Sequence, residues 1–469
     1  MRVSSAAAWA GLLAVLVLAP AVSVFLFDRD VNALDFTLDV GPDSYAASAG
    51  RVAVALIALL AALALAYPQR GLSLPKHNRW RAKLLMWSIV FFILGHTVLP
   101  ASLGAETNIN LNILYGPALL IVAYRLGRQS SSAAFATIKW SLLVFLLAGF
   151  LVFVFAPQMA MQTEQVPLRV PFIDFRYWGL GSNPNNVAPL ALLLVFFVIY
   201  QPFKSVVLTV FAVVVGGLTV LFAQSQTTWL AALILLPLFI FYRLIPKPVR
   251  KARVHPLFFL GMLTLTSIGL LMLLWELAQV DYDMFTDTVG RLSQGTAGDV
   301  GQGSPDDSFL SRIEIWQIAL ETWEDHPWFG YGPAAWDTAF RVQIGKGYAY
   351  SAHNQLMQTV SVGGTVGLLS LLVYLSVLTF LSFKTAEQSH GLTVAILGLI
   401  IIRGITETPL DTDTLLSGEL FIHVVLVYLL AVFLWRKKPR ALRSGSRRLR
   451  SRRRRRSSSR APGTGMQTA

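Results

Sequence analysis

Apolar residues along this chain fall in long blocks rather than in strict alternation. Twelve blocks can be drawn, at roughly 6–27, 51–67, 84–101, 111–126, 140–156, 187–203, 205–222, 228–243, 256–276, 360–383, 391–407 and 417–435. Several reach the roughly 20 residues that a bilayer-spanning helix needs. The pattern predicts an all-α polytopic membrane protein of about twelve transmembrane helices. Between the blocks, Arg70, Lys76, Arg79, Arg81 and Lys83 share one loop, and Arg125, Arg128 and Lys139 gather around the next loop on that side. Lys204, then Lys247, Arg250, Lys251 and Arg253, then Lys384 fall on the same side again. The positive-inside rule makes that side the cytoplasm and leaves both termini there. The first loop, with Asp28, Asp30, Asp35, Asp39 and Asp43, falls on the opposite side. The first apolar run reads as an uncleaved helix rather than a signal peptide, because it is long and many more spans follow.

Composition agrees with this pattern. Only 14% of the residues are charged and 55% are hydrophobic, whereas a soluble domain carries about 25% charged residues. Without cysteine the chain can form neither a disulfide framework nor a thiolate metal site. Its net charge of +14 is local: residues 436–469 hold 14 of the 39 Lys and Arg and no acid, which leaves 25 bases against 25 acids elsewhere. The chain therefore divides into a transmembrane bundle, 1–435, and a basic tail, 436–469. The tail, with its Arg452–Arg456 run, has too little apolar surface to fold and is expected to be disordered. It reads as a cytoplasmic anchor on anionic lipid headgroups, not as a nucleic-acid binder.

Two outer loops exceed what a connector needs, at about 157–186 and 277–353. Long loops on a rigid scaffold are where binding and catalytic groups concentrate. No internal repeat is visible, which argues against a carrier built from inverted repeats. Residues 293–308 are rich in Gly, Ser and Asp and read as flexible. Phe309, Ile313, Trp316, Leu320 and Trp323 then recur every three or four residues, one apolar stripe of a helix. Ser308 is its expected cap. His326-Pro327 should end it, because proline pushes the preceding residue out of helical geometry. Such a helix would lie on the membrane surface or roof the bundle.

The outer loops also carry cations where positive charge is usually avoided: Arg169, Arg176, Arg291, Arg312 and Arg341. His353 stands where the large loop re-enters the membrane, followed by Asn354, and Gly363, Gly364 and Gly367 lie further along. Glycines there let another backbone or a lipid chain approach closely. Arginine forks bind phosphate bidentately and keep their charge. A histidine can take a proton from a hydroxyl at neutral pH. A phosphate clamp and a base suit attack by a sugar hydroxyl on a pyrophosphate-activated sugar, and equally other phosphate chemistry.

The stretch from Arg312 to Leu320, the run His326-Pro-Trp-Phe-Gly-Tyr-Gly332 and Ala352-His353-Asn354 resemble the O-antigen ligase and polymerase superfamily. Ligases of that family carry a His-Asn, His-Ser or His-Gln pair, nine residues, then Gly-x-x-Gly, Thr or Tyr. Here His353-Asn354 is followed by nine residues and then Gly364-Thr-Val-Gly367. Arg176-Tyr-Trp-Gly179 with Asn183-Pro-Asn185-Asn186 is similar to the family's upstream outer loop, and Glu407 to an acid near its penultimate helix. The resemblance covers about 170–430. One position departs: where the family often shows Ser-Arg before the eighth span, this chain has Ser225-Gln226, and Gln226 donates a hydrogen bond but carries no charge.

The resemblance implies a glycosyltransferase of the bacterial inner membrane. Its donor would be a glycan on undecaprenyl pyrophosphate, with Arg312 and Arg176 on the anionic head and His353 as base on the acceptor hydroxyl. Asn354, Gln226 and Glu407 would contact substrate. The reaction would invert the anomeric centre without a metal or other cofactor. The acceptor would be lipid A core for a ligase, or a growing polysaccharide for a polymerase. Both remain open, as does, in a different class, a lipid or ion transporter. Several residues also have plainer readings. Arg312 could pair with Glu314 or Glu321 on its own helix. Arg403 and Glu407, four apart, predict a mutual ion pair at membrane depth. His326 turns the chain, Trp316, Trp323 and Trp328 anchor at the interface, and His96 is a hydrogen-bonded core residue.

Overall fold

A computed structural model of the chain describes residues 78–107, 112–127, 132–162, 170, 173–181, 183–244, 309–346, 349–412 and 418–435. The predicted spans 6–27, 51–67 and 256–276, the cap at Ser308, Arg169, Arg291, residues 293–308 and the basic tail lie outside them. Helix α1 (Arg79–Phe92) runs through a π-helical stretch (Ile93–Val98) into α2 (Leu99–Leu103). Then come α3 (Asn112–Gly127), α4 (Ser132–Phe155) and the single turn α5 (Pro157–Ala160). Two short antiparallel strands follow, β1 (Met161–Gln162) and β2 (Arg176–Tyr177), with Gln162 opposite Arg176. The order continues with α6 (Pro184–Tyr200), α7 (Val206–Phe222), α8 (Gln226–Leu244), α9 (Phe309–Asp325), α10 (Thr338–Gln343), α11 (Gln355–Thr385), α12 (Leu392–Arg403) and α13 (Gly418–Trp435).

Among the described residues four segments are long and apolar enough to cross a bilayer: Arg79–Leu103, Ala134–Phe155, Gln226–Arg243 and Gln355–Thr385. Five further apolar helices are shorter, 10–17 residues. Every described block of the apolar pattern is thus helical. Some boundaries differ: the block drawn to 203 is helical only to Tyr200, and the block drawn to 407 only to Arg403, where Gly404 caps α12 and the chain turns.

The core has its axis in α13, buried continuously from Leu420 to Leu434 and packed on α3, α6 and α12. A helix apolar all round belongs inside a bundle. By contrast α7 exposes Val206, Val207, Val210, Phe211, Val214, Leu218 and Leu221, the face expected of a lipid-facing helix. Polar pairs inside include His96 Nε2, 3.2 Å from Thr359 Oγ1, as expected of a core histidine, and Tyr374 Oη, 2.8 Å from His423 Nε2.

Segment 309–352 folds onto α11. Ile315 and Ala319 of α9 form a small apolar cluster with Trp336, Phe340, Ala349, Ala352 and Val362, so α9 packs over α11. The buried face lies one position round the helix from the predicted stripe, whose Leu320 is exposed. It ends at Asp325, before His326-Pro327. Trp316 and Trp323 do not simply anchor at an interface: Trp316 Nε1 donates to Ala352 O at 2.9 Å and Trp323 Nε1 to Thr365 Oγ1 at 3.2 Å. Trp328 is exposed.

The glycines of α11 explain how the roof is latched. Gly364 has φ 60° and ψ −158°, which breaks the helix, a region essentially reserved for glycine. The freed backbone pairs with 327–332: Tyr331 N donates to Ser361 O, Gly332 N to Val362 O, Thr365 N to Pro327 O and Val366 N to Trp328 O, all at 2.8–3.1 Å. The close neighbour that Gly364 admits is therefore backbone, whereas Gly363 and Gly367 face Gly95 and its surroundings. A Cβ at Gly364 would lie 2.5 Å from Trp328 C. Gly364→Ala should cost about 1–3 kcal/mol from backbone strain alone, with the clash in addition. A thermal-unfolding midpoint equal to wild type in the same detergent would refute this latch.

Candidate functional site

Four chain segments far apart in sequence meet where the roof joins the bundle. His353 precedes α11 with φ 45°, left-handed and strained for a residue with a side chain. Its backbone N–H donates to Ser351 Oγ at 3.2 Å. Asn354 caps α11, accepting from Leu356 N at 2.9 Å and Met357 N at 3.2 Å, and its Nδ2 donates to Ile405 O at 3.1 Å. Asn354 thus ties α11 to the turn after α12. Gln355 adds two ties, its N–H to Gly404 O at 2.9 Å and its Oε1 from Leu410 N at 2.8 Å.

This bracing fixes Glu407. Its Oε2 lies 3.5 Å from His353 Nδ1. Its Oε1 accepts from Asn185 Nδ2 at 2.9 Å and stands 4.0 Å from Arg403 Nη2. Burial alone would raise the carboxyl's pKa. The contact with His353 and the charges of Arg403, His353 and Arg312 outweigh burial and hold it at about 2. Glu407 is therefore an anion at any pH near neutrality.

The expected Arg403–Glu407 ion pair is present at 4.0 Å, but it is not the closest contact of either residue. Arg403 gives its Nε to Glu419 Oε1 at 2.9 Å, and its Nη2 contacts the same oxygen. The helix α12 ends at Arg403, and the turn at Gly404 also brings Glu407 against His353.

Arg176 sits in β2, 6% exposed, with Nη2 3.4 Å from Asn185 Oδ1. Arg312 lies half-buried on α9, and its charge acts on Glu407. Gln226 opens α8 and is half-buried. The next residue, Thr227, hydrogen-bonds through Oγ1 to Thr406 Oγ1 at 2.8 Å, which seats this helix start beside Glu407. Arg341 is drawn elsewhere, over the ring of Tyr350 at 5.0 Å. Glu314 pairs with Lys346 at 2.5 Å.

Two site residues were missed as such. Asn185 lies in a quoted Asn-rich run, but only the fold shows that one amide bridges Arg176 and Glu407. Gln224, buried with φ 50°, donates from Nε2 to Phe175 O at 2.7 Å and Ile173 O at 3.3 Å, which pins the approach to Arg176. Its signal was proximity to Gln226 alone. Among the described residues no group of three or more His, Asp or Glu side chains is placed to hold a metal ion.

Chemically, the site offers a histidine with one nitrogen toward a fixed carboxylate that arginine charges hold ionised. Residues 211–372 match a family model described as O-antigen ligase. This segment holds Gln226, Arg312, His353 and Asn354 and stops before Arg403 and Glu407. No curated protein matches the chain.

Proposed function

We propose that this chain, an integral membrane member of the O-antigen ligase family, transfers a glycan from undecaprenyl pyrophosphate to an acceptor sugar hydroxyl on the periplasmic face. The observation that carries the proposal is that Glu407 lies against His353, feels the charge of Arg312 and is bridged by Asn185 to Arg176. Arg312 and Arg176 would hold the donor pyrophosphate. Their forks match phosphate oxygens, and their charge stabilises the leaving group as it departs. His353 Nε2 would take the acceptor's hydroxyl proton as the acceptor oxygen attacks the anomeric carbon. The carbon–oxygen bond to the pyrophosphate breaks, undecaprenyl pyrophosphate leaves, and the proton stays on the imidazole until solvent removes it. A single displacement inverts the anomeric centre. No step requires a metal. Gln226, at the start of α8, would donate to the glycan or its phosphate, and Asn354 would shape the floor beneath. The basic tail would rest on anionic lipids of the inner membrane, both termini cytoplasmic.

Ligase chemistry passes the finished glycan to lipid A core, and a deletion strain tests this. Gel analysis should show bare acceptor, and lipid extraction should recover long chains stranded on the polyprenyl carrier. Single repeats attached to the acceptor would instead identify a polymerase using the same donor. An unchanged glycan profile would overturn both.

A further inference from the structure

We infer that Glu407 and Asn185 form a positioning relay for His353: Glu407 fixes the imidazole with Nε2 toward the acceptor, and Asn185 ties that carboxylate to the donor clamp at Arg176. The inference rests on the proposed reaction and reassigns Glu407 within it, from substrate contact to a residue that acts through the base.

Occupancy is the first ground. Each carboxylate oxygen of Glu407 already has its own protein partner, Asn185 for Oε1 and His353 for Oε2, and the side chain is only 12% exposed. A sugar hydroxyl or phosphate has little of Glu407 left to touch. His353 is complementary: its side chain is 26% exposed, and its buried Nδ1 faces Glu407 without a completed hydrogen bond. At 3.5 Å the contact sits at the limit of a hydrogen bond, and catalytic hydrogen bonds of empty sites commonly shorten only when substrate arrives.

Charge is the second ground. An acid beside a base helps only while it is ionised and not already neutralised. Arg403 hydrogen-bonds Glu419 at 2.9 Å and lies 4.0 Å from Glu407, so its charge keeps Glu407 ionised without a direct hydrogen bond to it. Glu407 thus keeps its negative charge for the imidazolium that forms when His353 accepts a proton. A carboxylate held against one ring nitrogen selects the tautomer and stabilises the charged ring without becoming protonated itself.

Rigidity is the third. Glu407 hangs on a turn bonded to the start of α11 and, through Thr406, to the start of α8. Asn185 lies in the first turn of α6, whose cap Asn183 accepts from Asn186 N at 2.9 Å. Its amide can face only one way, with NH₂ to Glu407 and C=O to Arg176. Positioning groups work when their own supports are fixed. Through Asn185, the clamp that meets the donor and the base that meets the acceptor share one hydrogen-bonded chain, so the two substrates are held in one register.

The test is a double-mutant cycle on full-length protein in nanodiscs. The donor is polyprenyl-linked glycan extracted from the deletion strain, and the acceptor is that strain's glycolipid fraction. Glu407→Gln keeps shape and removes charge. It should lower kcat by about 10²-fold with KM for the donor unchanged. Combined with His353→Asn it should be no slower than His353→Asn alone, because residues acting as one unit are not additive. Losses that multiply, or a raised KM at constant kcat, would overturn the relay and return Glu407 to substrate contact. Should Glu407→Gln unfold early, Asn185→Ala gives the same readout: a smaller kcat loss that vanishes in the His353→Asn background. Full activity of His353→Asn would sink the base reading underneath, an outcome distinct from failure of the relay.

Discussion

Replacing His353 should reduce glycan transfer by about 10²- to 10⁴-fold, the typical contribution of a general acid–base group, while protein level in the membrane holds. The choice of replacement matters. His353 has φ 45°, and alanine tolerates that left-handed region poorly, whereas asparagine visits it readily. His353→Ala therefore combines loss of a base with added backbone strain. His353→Asn keeps the turn and loses the base alone. Equal, large losses in both variants support base chemistry. A defect in His353→Ala with near-normal transfer in His353→Asn would show that the position matters for the turn into α11 and nothing more. Surface glycan measured against protein abundance distinguishes these results.

How much of this was legible in the chain depends on the range of the interaction. Local periodicity located α9 and its end, since both the stripe from Phe309 to Trp323 and the stop at His326-Pro327 are set by residues within a turn or two. The apolar blocks located the helices, because each needs only its own composition. Spacing found only the longer of Arg403's two partners, Glu407 at 4.0 Å. Its closer partner, Glu419, lies 16 residues on, across a turn that a helical reading did not foresee. Asn185 and Glu407 are 222 positions apart, and nothing in either neighbourhood announces the other. The glycines of α11 signalled a close approach but not that Gly364 would meet the backbone of 327–332. The motif-bearing residues His353, Arg312 and Arg176 were identifiable one by one, but their assembly around a carboxylate depends on packing between helices.

Arg312→Lys should weaken transfer by about 10- to 10²-fold, although the charge is conserved. Hydrogen bonds to charged groups are worth about 1.5–3 kcal/mol, and lysine, a point charge on a flexible stem, cannot supply the second arm of a bidentate phosphate contact. The plainer reading makes Arg312 a surface partner of Glu314 or Glu321. Such pairs contribute about 0–1 kcal/mol and accept lysine readily, so that reading expects little change. The setting favours the first outcome. Arg312 is half-buried on α9, its charge acts on Glu407 below the roof, and Glu314 already engages Lys346 at 2.5 Å. Kinetics of the purified variant sharpen the result. A loss confined to KM for the donor means Arg312 binds the ground-state pyrophosphate, while a fall in kcat means it stabilises charge that develops as the pyrophosphate leaves. Wild-type values for both would remove Arg312 from the clamp and leave Arg176 as its remaining member.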